Sequence, residues 1–318
     1  MRRACAWVGA VGLVALVSGC GGGKEEPAKP KRTIGVSVLT LTNPFFKVIA
    51  DSMTQEAAKH GYEVIVTSGE FDVAKQQNQV KDFIVKKVSA IVLCPCDSKS
   101  IGPAIREANE AGIPVFTADI ACLAKDAKVV SHIATDNYGG GRLAAKAMVE
   151  ALGGKGKVAI IDHPEVESVI LRTKGFEEEM AEANKRPGVD IKIVRKLPGG
   201  GARDRSLRTA QDLLEKYPDL AGIFAINDPS ALGARAALEQ AKRADEVKIV
   251  GFDGQLEAKK AIKRGEIYAD PIQYPDEIGR KTVEAIAKYF RGEEVPPQVL
   301  IPTTLYGKAE AEKDPELK

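Results

Sequence analysis

Aromatic residues are scarce in this chain, at 5% of its 318 residues, so an aromatic side chain in a loop is informative. Neither sign of charge dominates, because 46 basic residues are matched by 44 acidic ones and the formal net charge is +2. That balance argues against a nucleic-acid or polyanionic partner. A glycine-rich loop of the P-loop pattern is also missing, which argues against an ATP site. We therefore expect neither a nucleic-acid partner nor a cofactor.

Apolar runs long enough to cross a bilayer are missing as well. The apolar stretch at residues 4–17 is too short and too rich in small residues for a typical membrane span. It follows Arg2 and Arg3, which form a charged amino-terminal region. This order of charged and apolar segments is typical of a secretory signal peptide.

The apolar stretch ends in the sequence VSGC, which resembles the bacterial lipobox, a motif whose cysteine is lipidated and becomes the first residue of the mature chain. We expect a signal peptide over residues 1–20, a lipid on Cys20 and a charged, proline-rich tether over residues 21–32. The protein is then a membrane-anchored lipoprotein on the periplasmic side of the cell envelope. The alternative is an ordinary cleaved signal peptide with a cysteine at this place by chance.

Cysteine is infrequent, and only Cys94, Cys96 and Cys122 remain once the signal peptide and the lipid account for the other two of five. An exported compartment permits disulfides. Cys94 and Cys96 follow one predicted strand, and Cys122 follows the next. The pattern is equally compatible with two alternatives: a disulfide from Cys94 or Cys96 to Cys122, or three free thiols. A metal site is not predicted, because this spacing lacks a fourth zinc ligand.

Short strands rich in Val and Ile alternate with amphipathic helical segments from residue 33 onward. Strands are predicted at residues 34–39, 63–67, 90–93, 115–117, 157–161, 191–194, 222–225 and 248–251. Helices are predicted at residues 45–60, 73–86, 98–111, 137–152, 171–184, 206–217, 230–240, 256–264 and 276–291. Nearly all-apolar strands separated by helices are typical of parallel sheets covered on both faces, so the pattern predicts an α/β fold.

The alternation occurs twice, and less apolar extended segments at residues 129–137 and 269–275 separate the two series. Another extended segment, residues 299–306, precedes the charged end of the chain. We expect two Rossmann-like lobes with parallel sheets, joined by a hinge of several segments. Such a hinge permits the lobes to close around a ligand.

Polar and aromatic residues cluster in the loops and helix starts that follow the predicted strands. In open parallel sheets these strand ends meet at one crevice, where ligands bind. The candidate residues are Asn43, Phe45, Phe46, Asp119, Arg172, Asn227, Asp253 and Gln273. Carboxylate, amide and guanidinium groups can each hold two adjacent hydroxyls, and ring faces suit the C–H face of a sugar. The set lacks the Ser or Cys nucleophile beside a base that acyl transfer requires.

The chain from Thr33 to Tyr306 resembles the periplasmic sugar-binding proteins of the ribose/galactose-binding group, and ribose-binding proteins most closely. The matching segments, in the same order, are TLTNPFF at residues 40–46, ND at 227–228 with ALGA at 231–234, VGFDG at 250–254, and Gln273 with PDEIG at 275–279. The resemblance implies a type I periplasmic binding protein fold and a monomer. It also implies a monosaccharide ligand, a ribose-like pentose or a related sugar, that is delivered to the permease of an ABC importer.

The corresponding boundaries are residues 33–134 plus 274–302 for the amino-terminal lobe and residues 135–273 plus 303–310 for the carboxy-terminal lobe. Residues 311–318 are expected to form a charged tail. By motif, Asn43, Phe45 and Phe46 correspond to the first-lobe contacts, in which the rings cover one side of the sugar. The remaining candidates correspond to the family's polar contacts: Asp119, Arg172, Asn227, Asp253 and Gln273.

Two positions depart from the family pattern. Ile120 stands where ribose binders usually have an arginine, and the sequence PGGG at residues 198–201 replaces a loop that often supplies an aromatic ring. A buried polar partner left without a hydrogen bond costs about 1–3 kcal/mol. The departures therefore predict a sugar preference that differs from that of ribose binders.

Each candidate also has a purely structural interpretation. These interpretations are Asn43 as a helix N-cap, one of Phe45 and Phe46 as a core residue, Asp119 and Asp253 as turn residues, Arg172 as a surface ion-pair partner, Asn227–Asp228 as a helix start capped by Asp228, and Gln273 as a solvated hinge residue. His163, in a loop beside the expected cleft, is interpreted as a solvated loop histidine rather than a ligand contact.

Two other functions are alternatives to transport. The first is a sugar-sensing protein that presents its ligand to a membrane receptor or sensor kinase; a DNA-binding repressor of this fold would instead need a basic helix-turn-helix ahead of the domain. The second is a sugar hydrolase that uses Asp119 and Asp253 as paired carboxylates. Nothing in the sequence places those two carboxylates at a catalytic separation, so we predict a binding protein and not an enzyme.

Overall fold

The structure, a computed structural model, describes residues 31–318. The predicted signal peptide, Cys20 and nearly all of the predicted tether lie outside the described residues. No helix within residues 31–318 is both long enough and apolar enough to cross a membrane.

Strands and helices alternate along this part of the chain. The strands are β1 Thr33–Val38, β2 Glu63–Ser68, β3 Ala90–Leu93, β4 Val115–Ala118, β5 His132–Thr135, β6 Lys155–Asp162, β7 Asp190–Pro198, β8 Leu220–Ala225, β9 Lys248–Val250, β10 Ala269–Ile272, β11 Gln298–Ile301 and β12 Thr304–Gly307. The helices are α1 Pro44–Lys59, α2 Val73–Val85, α3 Gly102–Glu110, α4 Asn137–Ala151, α5 Glu167–Ala183, α6 Arg203–Lys216, α7 Asp228–Gln240, α8 Leu256–Arg264, α9 Pro275–Phe290 and α10 Lys308–Lys313.

The strands form two six-stranded sheets with the same internal order, which confirms the predicted α/β fold of two parallel-sheet lobes. The first sheet runs β11-β5-β4-β3-β1-β2 and the second runs β12-β10-β9-β8-β6-β7. Neighbouring strands pair in parallel except β10 and β12, which pair antiparallel. We call the part built on the first sheet the first lobe and the part built on the second sheet the second lobe.

Burial on both faces explains why the central strands are almost wholly apolar. Along β3, Ala90 and Val92 pack into one apolar cluster with α1, whereas Ile91 and Leu93 pack into another with α2 and α3. Successive side chains of a strand point to opposite faces, so a strand covered on both sides needs apolar residues at every position. The same reasoning accounts for β1 and β4.

Three chain segments connect the lobes. The segment 129–137, expected only as an extended connection, contains β5 of the first sheet, and the segment 269–275 contains β10 of the second. The single extended segment expected at 299–306 is instead two strands, β11 and β12, which belong to different sheets. The crossings lie side by side, because the Asp136 amide donates to the Ile301 carbonyl at 2.8 Å and the Thr135 hydroxyl donates to Gln273 Oε1 at 2.6 Å.

The end of the chain differs from the expected charged tail. Residues 308–313 form α10, which packs against α8, and Pro315–Leu317 form a short 3₁₀ helix. Ala311 is fully buried, and the Tyr306 hydroxyl donates to Asp314 at 2.7 Å. The sequence did not predict α10 because Ala311 is its only buried residue, so the segment lacks the apolar periodicity of an amphipathic helix.

Cys94, Cys96 and Cys122 are free thiols in residues 31–318, so of the two alternatives the structure has the free thiols and neither bridge to Cys122. Cys94 and Cys96 pack into the apolar cluster on the α1 side of the first sheet. Cys122 packs against the cluster on the α2–α3 side. Strand ends of neighbouring strands do lie close, but side chains on opposite faces of a sheet cannot meet the geometry that a disulfide requires.

Candidate ligand-binding cleft

A narrow cleft between the two lobes has a cavity volume of about 30 Å³. All eight residues predicted from the sequence line it: Asn43, Phe45, Phe46, Asp119, Arg172, Asn227, Asp253 and Gln273. They come from the carboxyl ends of the strands in both sheets, which is where ligands bind in open α/β sheets. The structure thus brings the predicted residues together, and their contacts with a ligand stay a prediction.

The start of α1 forms the first wall of the cleft. Asn43 caps the helix, because its Oδ1 accepts from the Phe45 amide at 3.0 Å, and Pro44 occupies the first turn. The rings of Phe45 and Phe46 lie perpendicular, with centroids 5.3 Å apart, and both are more than 95% buried. The structural interpretations of these residues therefore hold, and the same residues also border the cleft.

Asp119 follows β4 in a strained backbone conformation, with φ at 63°. Its amide donates to the Ile133 carbonyl at 2.8 Å, which fixes the loop against β5. Oδ1 of this carboxyl is buried and has no hydrogen-bond partner within residues 31–318. Burial raises the pKa of Asp119 to about 7, against the opposing effect of Arg172. Strain and an unpaired buried oxygen are costs that cluster at functional sites.

Arg172 reaches the cleft because α4 and α5 pack unusually close. A Cβ atom added to Gly141 of α4 would lie 2.0 Å from the Arg172 carbonyl oxygen, so only glycine allows this approach. Gly175 plays the same part from the other side, since its Cβ would lie 2.2 Å from the Tyr138 carbonyl oxygen. Gly141, the last glycine of the run at residues 139–141, is therefore a packing feature that positions the arginine.

The Arg172 side chain is 97% buried, so its interpretation as a surface ion-pair partner is wrong. Nε donates to Asn137 Oδ1 at 2.7 Å, and Nη1 donates to the Ile226 carbonyl at 2.8 Å and to Asp253 Oδ1 at 3.3 Å. The guanidinium also lies 3.9 Å from the ring centroid of Phe252. These contacts orient the plane of the guanidinium, while Nη2 has no acceptor among the described residues.

Asp253 and Gln273 form a pair at the hinge side of the cleft. Gln273 Nε2 donates to Asp253 Oδ1 at 2.6 Å, and Gln273 Oε1 accepts from Thr135. Gln273 is only 6% exposed, so it is not a solvated hinge residue. Asp253 has a positive φ of 114°, and burial raises its pKa while the Arg172 guanidinium opposes that effect.

Asn227 caps α7, because its Oδ1 accepts from the Ser230 amide at 2.9 Å. The prediction that Asp228 is the cap is therefore wrong: Asp228 points inward and is 1% exposed. Asn227 Nδ2 donates to the Gly201 carbonyl at 3.0 Å, which ties the glycine-rich loop to the cleft. Gly201 and Ile120, the two positions that depart from the family pattern, both line the cleft.

Phe71 and His163 line the cleft and were missed in the sequence. His163 is 7% exposed, so its interpretation as a solvated histidine is wrong, and burial lowers its pKa. Its ring centroid lies 6.3 Å from that of Phe71, which belongs to the other lobe. Phe71 follows the end of β2, so the strand-end argument that found the other residues applies to it equally. Within the described chain, no His, Cys, Asp and Glu cluster is arranged to hold a metal.

Comparisons with known proteins agree with this geometry. The sequence matches the family described as periplasmic binding protein domain over residues 34–294. It is 37% identical to the ribose import binding protein RbsB of Salmonella typhimurium over 93% of this chain and 95% of that protein. It is 33% identical to the D-apiose import binding protein of Paraburkholderia graminis over 90% of both chains.

A solved structure supports the same conclusion. An ABC transporter periplasmic solute-binding protein from Actinobacillus succinogenes, with bound D-allose, superposes with a TM-score of 0.81 and 30% sequence identity. The match covers 89% of this chain and 100% of that one. The chain therefore belongs to the periplasmic binding protein family, the solute-binding proteins of ABC importers, which act in the periplasm or cell envelope and are not enzymes.

Proposed function

We propose that this protein binds a monosaccharide between its lobes and delivers it to an ABC importer. The observation that carries the proposal is Asp119 Oδ1, a buried acceptor in the cleft without a hydrogen-bond partner in residues 31–318. Leaving such a group unpaired costs about 1–3 kcal/mol, so a ligand that donates a hydrogen bond there recovers that energy. A hydroxyl group is a suitable donor.

The remaining hydrogen-bonding capacity of the cleft also suits hydroxyl groups. Nη2 of Arg172 and Nδ2 of Asn43 are donors without acceptors among the described residues, and Asp119 and Asp253 present acceptors. A hydroxyl both donates and accepts, so adjacent hydroxyls on a ring satisfy donors and acceptors together. Two carboxyl groups and one guanidinium make the cleft a poor site for an acidic ligand.

The apolar part of the lining fits a sugar ring in the same way. The Phe45 and Phe46 rings border the cleft from one side, and Phe71 adds a third ring. Such rings cover the C–H face of a sugar while the polar residues contact its edges. Ile120 and Gly201, which replace an arginine and an aromatic loop, are expected to shift the preference among sugars. The sugars named for the similar proteins, ribose, D-apiose and D-allose, define the class to test first.

A ligand screen tests this proposal. The purified protein is heated with D-ribose, D-apiose, D-allose and other pentoses, hexoses and polyols, and the best candidates are then measured by calorimetry. A ligand that binds only the folded state raises the apparent stability by about 2.7 kcal/mol at a hundredfold excess over its Kd. If no sugar or polyol raises the unfolding temperature, the proposal is wrong. Loss of uptake of the same sugar in cells that lack the protein tests the delivery step.

Three further features belong to the same proposal. We infer that Cys20 carries a lipid anchor, that the protein acts as a monomer, and that the lobes comprise residues 33–134 plus 274–302 and residues 135–273 plus 303–310. The packing of α10 against α8 supports adding residues 311–318, expected as a tail, to the second lobe. The mass of the intact mature chain tests lipidation, and Cys20→Ser should release the protein from membranes. Sedimentation of the purified Cys20→Ser variant at several concentrations tests the monomer.

A further inference from the structure

Gln255 lies at the edge of the cleft and connects the two lobes. Its side-chain Nε2 donates to Asn43 Oδ1 at 3.0 Å and to Asp253 Oδ2 at 3.2 Å. Asn43 starts α1 of the first lobe, whereas Gln255 and Asp253 belong to the second lobe. Both hydrogens of the amide group are therefore used, one across the cleft and one within the second lobe.

The backbone of Gln255 is held in place by a hydrogen bond within the second lobe. Its amide donates to Asp228 Oδ2 at 2.6 Å, and Asp228 is a buried residue of the first turn of α7. Gln255 precedes α8 as its N-cap residue, but its side chain makes no capping hydrogen bond. The side chain is thus available to reach across the cleft from a position that is already ordered, which reduces the entropic cost of the contact.

We propose that Gln255 is a positioning residue that stabilises the closed arrangement of the lobes and orients Asn43 and Asp253 toward the ligand. The first part stands on the interlobe hydrogen bond alone, and the second part rests on the proposed function. Because Asn43 Oδ1 accepts from both Gln255 and Phe45, its acceptor capacity is filled, and Asn43 can offer a ligand only its Nδ2 donor. Gln255 thereby determines which polar groups remain for the sugar.

The lobes make a second direct contact, which provides a comparison. The Ser98 amide of the first lobe donates to the Glu165 carbonyl of the second at 3.0 Å, and Ser98 Oγ accepts from the Glu167 amide at 2.9 Å. Removing Gln255 therefore leaves another interlobe contact in place. The loss of one neutral hydrogen bond between the lobes should lower the ratio of closed to open molecules about three- to tenfold.

The test measures the distance between the lobes without any sugar. Spin labels are attached through non-cysteine chemistry at Val85 of α2 and at Lys185, just beyond α5, both of which are exposed. Gln255→Ala removes the amide, and Gln255→Met keeps the length of the side chain without its donors. Glu257→Ala is the matched control, because it removes an exposed ion pair with Arg203 inside the second lobe.

We expect both Gln255 variants to lower the closed-to-open ratio about three- to tenfold, with the control unchanged. Thermal unfolding of the sugar-free variants should stay near that of the wild type, since a general structural role would lower it. The proposal is overturned if the distance distributions of both Gln255 variants superpose on that of the wild type. It is also overturned if the sugar-free wild type is entirely open. This outcome is independent of the proposed function, which fails instead if no sugar binds.

With D-ribose as the probe, or the tightest sugar of the screen in its place, the affinity of both variants should fall by the same factor as the closed-to-open ratio. A competent state that is less populated lowers the apparent affinity in proportion. A loss of affinity without a change in the sugar-free distances would contradict the direct effect on closure.

Discussion

Sugar affinity should fall as the pH drops below about 7, because Asp119 must be ionised to accept hydrogen bonds at both oxygens. Burial raises the pKa of this carboxyl to about 7 in the cleft. Hydroxyl donors stabilise the ionised form, so binding lowers the pKa and releases a proton from molecules that were protonated. With a pKa of about 7, the ionised fraction is about 0.9 near pH 8 and about 0.1 near pH 6, which corresponds to an affinity about tenfold lower at the acidic end.

Calorimetry at these two values checks the prediction, with the tightest sugar of the screen in two buffers of different ionisation enthalpy. The buffer dependence of the heat should show proton release near pH 6 and almost none near pH 8. Asp119→Asn is the control, because it keeps the shape of the side chain and cannot ionise. It should bind about ten- to a hundredfold more weakly than the ionised wild type, given the strength of hydrogen bonds to charged groups. Its affinity should change less with pH than that of the wild type, because of the two cleft carboxyls with a raised pKa it keeps only Asp253.

Other groups near the cleft must be separated from Asp119. Burial lowers the pKa of His163 below its usual value. Asp270 also has a pKa raised to about 7, but it does not line the cleft. The Asp119→Asn variant retains both residues. Equal affinity at the two pH values, or a variant that keeps the tenfold difference of the wild type, would refute the reasoning.

Further predictions concern the rings, a buried acid and the thiols. Phe45→Leu and Phe46→Leu keep apolar volume but remove a ring face, so calorimetry should show a sugar affinity about two- to tenfold lower than that of the wild type. Unchanged affinity in both variants would contradict the proposal that these rings form one wall of the sugar site. Burial raises the pKa of Asp270, a buried carboxyl beside that of Asp228, so the folded state keeps a proton that the unfolded chain loses above about pH 4. That stabilisation is lost as the pH rises toward 7. The free energy of urea unfolding should therefore decrease less between about pH 5 and pH 8 in Asp270→Asn than in the wild type. Equal decreases in the two proteins would contradict this role of Asp270. Thiol titration of the unfolded mature domain without reductant should find every remaining cysteine reactive, and a missing pair would indicate a disulfide.

The strand ends could be predicted from the sequence because apolar runs locate the strands and the parallel topology brings their ends together. Asp119 and Asp253 illustrate this, since Asp119 directly follows β4 and Asp253 lies three residues beyond the end of β9. The same rule would have found Phe71 had it been applied to β2. The rule weakens there because β2 is an edge strand in which none of the six residues is fully buried, so its end is less sharply marked.

Other features depend on contacts that the sequence does not encode locally. Gln255 is separated from Asn43 by more than two hundred residues, and the hydrogen bond between them joins the two lobes. The choice between Asn227 and Asp228 as the cap is similarly decided by the interior, because Asp228 turns inward to bind the Gln255 amide. The face of the first sheet on which Cys122 lies depends on the conformation of a loop that has no regular hydrophobic periodicity.

The contacts around the cleft explain why the motifs indicate a sugar without specifying which one. Each motif residue is already held by a neighbour: Arg172 by the Ile226 carbonyl, Gln273 by Thr135, and Asn43 by Gln255. Those neighbours use up part of the donor and acceptor capacity, and the remaining groups are what a ligand meets. Two proteins with the same motif residues and different neighbours therefore present different hydroxyl patterns. We expect Gln255, Ile120 and Gly201 to alter sugar preference more than conservative changes at the motif residues do.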